Sequence, residues 1–188
     1  MVMVGKGWHG EPYRHSLAAK GVSTKLMRAN LIDGNIYQKV NVLKSGIDGN
    51  RFISASLKKH PDLWERSYRV LDDAQTIVAL KGSSTGDIYP GMDPDDIVGY
   101  IRYRRRYGKD GRHLGYELGY LEVRKDWQGK GIGYAMLGTF FDRVVEYDMT
   151  VFVAYGSSEG KIFFDKFYNN PTIRNEIWER DIAVMIEE

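Results

Sequence analysis

The chain has 188 residues, of which 43% are hydrophobic and 28% charged, and its formal net charge is only +2 at pH 7. Aromatic residues make up 13% of it, so there is ample apolar surface to bury, and a disordered chain is excluded. No apolar run approaches the ~20 residues that a membrane-spanning helix needs, so no membrane partner is expected.

The absence of cysteine removes disulfides, thiolate metal sites, iron–sulfur clusters and thiol nucleophiles. His9, His15, His60 and His113 lie far apart without paired metal spacing, so no metal is expected. The start, Met1-Val-Met-Val-Gly-Lys-Gly-Trp-His, lacks the apolar stretch and cleavage site of a signal peptide. A cytoplasmic location is the expectation.

Residues 1–34 read as an N-terminal arm, because they carry five glycines and too few apolar residues for a core. Within them only Tyr13 to Lys20 looks helical. Residues 35–188 then form the domain proper. Asn35–Leu43 reads as a strand, and Asn50–Val70 as one or two short helices broken by Pro61. Thr76–Lys81 is a strand, and residues 82–96, rich in Gly, Ser, Asp and Pro, make a loop. Ile97–Tyr107 and Leu114–Val123 form a hairpin around Gly108-Lys-Asp-Gly111.

Apolar residues at three- and four-residue spacing predict a helix over Ile132–Tyr147. Thr150-Val-Phe-Val-Ala154 has the continuous apolar run of a strand buried on both faces. A helix is expected over Ser158–Phe167, started by Ser157 or Ser158 and ended before Asn169-Asn-Pro171. A final strand lies within Asn175–Ile186. These elements define an α/β (α+β) domain.

The chemistry concentrates in Gln128-Gly129-Lys130-Gly131-Ile132-Gly133, where a strand feeds into the best helix of the chain. Glycines let the backbone approach a ligand closely, and the first amides of a helix point outward at the positive end of its dipole. Together they make a phosphate cradle. Gly129-Lys130 is followed by Gly131, not Ser or Thr, so the Walker A pattern fails. Gly129, Gly131 and Gly133 alternate, so the dinucleotide pattern fails too.

The stretch Val123-Arg-Lys-Asp-Trp-Gln-Gly-Lys-Gly-Ile-Gly-Tyr-Ala-Met-Leu137 resembles the acetyl-coenzyme A signature of the GNAT superfamily of N-acetyltransferases. That pattern, Arg/Gln-x-x-Gly-x-Gly/Ala, is met by Gln128, Gly131 and Gly133. The resemblance implies a mixed, mostly antiparallel central sheet of 6–7 strands with helices on both faces. It also implies acetyl-coenzyme A (acetyl-CoA) as co-substrate. The amides of Gln128, Gly129, Lys130, Gly131, Ile132 and Gly133 would hold its pyrophosphate. The backbone of Leu121 and Val123 would pair with the pantetheine arm, in a gap between strand 114–123 and strand 150–154.

Amide formation from a thioester needs a neutral amine, a polarised carbonyl and a protonated leaving group. Without cysteine no acetyl-thiol enzyme can form, which favours direct attack by the amine in a ternary complex. The candidate general bases are Glu117 and Glu122 on the motif strand, with Glu117 favoured because Leu121 and Val123 flank Glu122. A main-chain amide near Val123 would polarise the carbonyl. Family members often carry a leaving-group tyrosine where this chain has Phe164. Tyr168, one helical turn on, and Tyr155 are the candidate substitutes, and a thiol is also acidic enough to leave unaided.

The acceptor is expected to be a primary amine on a small molecule or protein, and Asp93, Asp95 and Asp96 could attract it. Arg102 to Arg112 holds six basic residues in eleven, interleaved with tyrosines. Acetylation of aminoacyl-tRNA is therefore one alternative, although the near-neutral total charge speaks against a dedicated nucleic-acid binder. A non-catalytic protein that binds coenzyme A or a partner is another. The arm invites a homodimer.

Overall fold

The computed structural model describes residues 2–4, 40–46, 49–65, 74–81, 93–154 and 157–187. Among them the chain order is β1 (Val2–Val4), β2 (Val40–Gly46), α1 (Gly49–Lys59), β3 (Gln75–Lys81), β4 (Ile97–Tyr107), β5 (His113–Val123), α2 (Ile132–Arg143), β6 (Thr150–Ala154), α3 (Ser158–Tyr168), α4 (Pro171–Glu179) and β7 (Ala183–Glu187). The hydrogen-bonded strand order is β1-β7-β6-β5-β4-β3-β2. Antiparallel pairs join β1 to β7, β2 to β3 and β3 to β4, while β6 runs parallel to both β5 and β7. This is a mixed α/β sheet of the expected class.

The chain divides into two compact units, Arg28–Arg104 with Tyr120–Phe140, and Met1–Met27 with Arg105–Gly119 and Phe141–Glu188. In the first unit, Ile53 and Leu57, one turn apart on α1, pack with Trp64, Val78, Leu80, Ile97 and Tyr100. Fully burying an aliphatic side chain of this kind is worth about 1.5–3 kcal/mol. Arg102 is 1% exposed on β4, a costly place for a charge. Its Nε donates to Asn50 Oδ1 at 3.1 Å, and Asn50 Nδ2 in turn donates to Ala74 O at 2.9 Å. α1 ends at Lys59, just before Pro61, the residue expected to break it.

In the second unit, Val151, Phe152 and Val153 of β6 are buried between neighbours on both sides, as the apolar run predicts. Ser157 is the cap of α3, its Oγ accepting from Gly160 N at 3.1 Å. One expectation needs correction here. The helix from Ile132 ends at Arg143, not Tyr147, where the Arg180 guanidinium takes the Phe141 and Val145 carbonyls at its C-terminus. The final strand expected within 175–186 is β7, Ala183–Glu187, which runs one residue further, and the helix α4 precedes it.

Asn170 Oδ1 starts α4 by accepting from Thr172 N and Ile173 N at 3.0 and 3.4 Å, with Pro171 in the first turn. Asp181, at φ 54°, ends it with a left-handed turn in which Asp181 N donates to Trp178 O and Ile182 N to Ile177 O. Val2–Val4, within the stretch read as an arm, is a strand paired with β7. The rest of residues 1–34 lies outside the described residues, as do 35–39, 66–70 and the 82–92 part of the expected loop.

Candidate functional site

Within the first unit, β5 ends at Val123, a 3-10 turn follows at Lys125–Trp127, and α2 begins at Ile132. Gly129 and Gly131 hold φ 73° and 80°, the left-handed region where a side chain is strained. A Cβ placed on Gly129 would meet nothing within 4 Å, so that face of the turn is open. The first helical bond runs from Ala135 N to Gly131 O, and the amides before Ala135 have no acceptor four residues back within the helix. Ile132 anchors the other side of the turn, 1% exposed.

The residues around the turn are held in place. Gln128 Nε2 folds back to donate to Val123 O at 3.0 Å. Lys130 Nζ donates to Asp126 O at 3.1 Å and sits 4.4 Å from the centroid of the Trp127 ring. Arg124 grips both carboxylate oxygens of Asp126 at 2.7 and 2.8 Å, and its guanidinium holds the Asp126 carboxyl below the usual carboxylate range. Leu121 and Val123, the expected pantetheine contacts, are half-buried at the end of β5. Glu122 between them uses both oxygens: Oε1 accepts from Glu65 N at 2.5 Å and Oε2 from Tyr100 Oη at 2.8 Å.

Within the second unit, the parallel ladder of β5 and β6 covers only Gly115↔Thr150 to Leu118↔Val153. β6 goes one residue further against β7, to Ala154↔Glu187, so β5 and β6 part first. Glu117, half-buried and opposite Phe152, is the last residue but one before that parting. Phe164 is 5% exposed and stacks at 6.3 Å and 10° on Tyr168. The Tyr168 hydroxyl is buried without a hydrogen-bond partner, with Trp178 nearby but not in hydrogen-bonding geometry. Burial pushes its pKa above the usual phenol range. Tyr155 lies outside the described residues.

The acidic patch is less available to an amine than its sequence implies. Lys59 Nζ reaches Asp95 at 2.7 Å and Asp93 at 3.4 Å, His60 Nε2 is 2.5 Å from Asp95, and Lys81 Nζ is 3.7 Å from Asp96. The basic hairpin is also partly committed. Arg106 bonds Glu187 at 2.5 Å and lies 4.0 Å from the centroid of the Phe152 ring, and Arg102 is buried on Asn50. Sequence reasoning missed Glu65 and Tyr100, whose roles arise from contacts 57 and 22 residues away from Glu122. No group of metal-ligating side chains occurs among the described residues, and none of their helices is long and apolar enough to cross a membrane.

A left-handed glycine turn thus opens a helix at the end of a strand in a mixed α/β fold. The acetyltransferase (GNAT) family model matches residues 52–158. The chain belongs to this family. Among solved structures, the ribosomal-protein-alanine N-acetyltransferase from Brucella melitensis biovar Abortus 2308 is similar at 13% identity and TM-score 0.43, covering 68% of this chain and 89% of that one. The structure of AtaTR bound with AcCoA is similar at 9% identity and TM-score 0.39, covering 69% and 83% of the two chains. No curated protein matches the chain.

Proposed function

We propose that the protein is an N-acetyltransferase that passes the acetyl group of acetyl-CoA directly to a primary amine of a small molecule or protein. The observation that carries this reading is the turn at Gly129–Gly131, left-handed, open on one face and leading into the amides of α2. Two linked phosphates fit such a cradle, because several N–H dipoles converge where no side chain intrudes. The backbone of Leu121 and Val123 would align the pantetheine arm as an added strand.

Acetyl-CoA brings the activated thioester. Glu117 accepts the proton of the attacking amine, directly or through a water, as the carbon–nitrogen bond forms. An amide N–H near Val123 stabilises the negative charge on the carbonyl oxygen. The carbon–sulfur bond then breaks with its electron pair on sulfur. The thiolate, the conjugate base of a thiol acidic enough to leave unaided, takes its proton from solvent, to which Glu117 returns the one it accepted. Tyr168 lies on the same face of α3 as Phe164, one turn on, with its hydroxyl buried.

The test is a thiol-release assay with acetyl-CoA and a panel of amines, from polyamines and amino sugars to peptide N-termini and aminoacyl-tRNA. Release that depends on a primary amine and falls by about 10²–10⁴ in Glu117→Gln supports the assignment. Tight coenzyme binding with no release for any amine favours a binding-only protein.

A further inference from the structure

Both carboxylates of β5 are candidates for the base in sequence, and the partners of Glu122 give it a role of its own. A base needs an oxygen turned toward the amine. Each oxygen of Glu122 instead meets a donor from its own unit, Oε1 the Glu65 backbone N–H at 2.5 Å and Oε2 the Tyr100 hydroxyl at 2.8 Å. Hydrogen bonds to an ionised group are the stronger kind.

The donors come from elements that are themselves anchored. Tyr100 is 2% exposed on β4, and its ring lies 5.5 Å from that of Trp64, 3% exposed, in the turn that follows α1. That turn, residues 60–65, is fastened to the chain after β5 at several more points. Lys125 N donates to Leu63 O and Lys125 Nζ to Asp62 O, both at 2.9 Å, and Gln128 Nε2 reaches Glu65 Oε1 at 3.4 Å. On the other side, Arg124 N donates to Val98 O at 2.9 Å and its guanidinium to Asp95 O at 3.0 Å. Glu122 bridges the two sets from β5, with one oxygen on β4 and the other on the 60–65 turn, alongside the His60–Asp95 contact and the Trp64–Tyr100 ring pair.

We propose that Glu122 is a positioning residue: it clasps Tyr100 and the 60–65 turn to the end of β5, so that Leu121 and Val123 present their backbone to the pantetheine arm in one register. This rests on the acetyl-CoA reading above and goes beyond it by dividing the two carboxylates, Glu117 for the proton and Glu122 for the register. A rigid edge matters because an added strand binds only if its donors and acceptors line up. Loosening it weakens coenzyme binding without removing the group that takes the amine's proton.

The experiment compares wild type, Glu122→Gln, Glu122→Ala and the milder Tyr100→Phe. Three readouts are taken: acetyl-CoA affinity by calorimetry, kcat and KM across pH, and hydrogen exchange at the Glu65 amide. The expected result for Glu122→Ala is an acetyl-CoA affinity and KM about tenfold weaker, with kcat changed less and the shape of its pH profile kept. Glu122→Gln restores part of the loss, because its one carbonyl oxygen still accepts. The Glu65 amide exchanges faster in Glu122→Ala. Tyr100→Phe adds little to Glu122→Ala, since the two share one contact.

The proposal would be overturned, and Glu122 would become the base, if Glu122→Gln slowed turnover by about two orders of magnitude with KM unchanged and the acid limb of the profile gone. Unchanged Glu65 exchange in a folded Glu122→Ala would also overturn it, whatever the assays give. If wild type bound no acetyl-CoA, the coenzyme reading itself would fail, while the exchange readout would still report separately on the clasp.

Discussion

Gly115 of β5 lies so close to Thr150 of β6 that a Cβ on it would stand 1.8 Å from the Thr150 carbonyl oxygen. Its φ of 146° is a further conformation that side chains rarely adopt. The two residues are the first pair of the parallel ladder, which runs only to Leu118↔Val153. Where β5 and β6 begin together therefore depends on a glycine.

Gly115→Ala is accordingly expected to cost more than ~3 kcal/mol, since the obstacle is backbone and cannot swing away. Denaturant unfolding checks it. A variant as stable as wild type would mean that the approach of the two strands is not as described. The nearby Gly111→Ala is a useful contrast, because its Cβ would meet nothing within 4 Å although its φ is 76°. There the cost should stay near ~1 kcal/mol.

Glu176 is 7% exposed on α4, and burial pushes its pKa up to about 7, with Asp142 and Glu179 raising it further and Arg180 pulling it down. The folded protein thus binds a proton that the unfolded chain has given up between its ordinary value near 4.5 and about 7. Stability should fall as pH rises through that window and then level off. Glu176→Gln should remove the fall, matching wild type at about pH 5 and exceeding it by roughly 2–3 kcal/mol at about pH 8. Urea midpoints at both pH values decide it, and parallel slopes for the two proteins would contradict it.

The end of α4 offers a gain. Asp181 sits at φ 54° where glycine is the usual residue. Asp181→Gly is expected to raise stability by about 0.5 kcal/mol, the relief of strain outweighing the added freedom of the unfolded chain. At the other end, Asn170→Ala should lose about 1 kcal/mol with the two amides it caps. Thermal melts of the pair should therefore move in opposite directions.

The same residues show what was legible in advance. The glycine turn and the start of α2 stood out because alternating glycines run into a strongly periodic helix, and β6 because its apolar run has no polar face. α4 was hidden: Asn170-Pro171 is at once a stop for α3 and a start for α4, and the glycine that would mark its end is replaced by Asp181. β1 carries no local signal, since Val2–Val4 is a strand only through pairing with β7 at the far end of the chain. Glu122 was visible as a carboxylate on the motif strand, but its partners come from Glu65 and Tyr100, contacts that periodicity does not encode.

The most direct test of the central claim is calorimetric titration of acetyl-CoA into wild type and Gly131→Glu. Gly131 holds φ 80° at the mouth of α2, and a glutamate there would bring strain and a negative charge to the place assigned to the pyrophosphate. Micromolar binding by wild type that the folded variant loses is the predicted result. Equal binding by both, or none by a well-folded wild type, would contradict the assignment of the glycine turn as a coenzyme cradle.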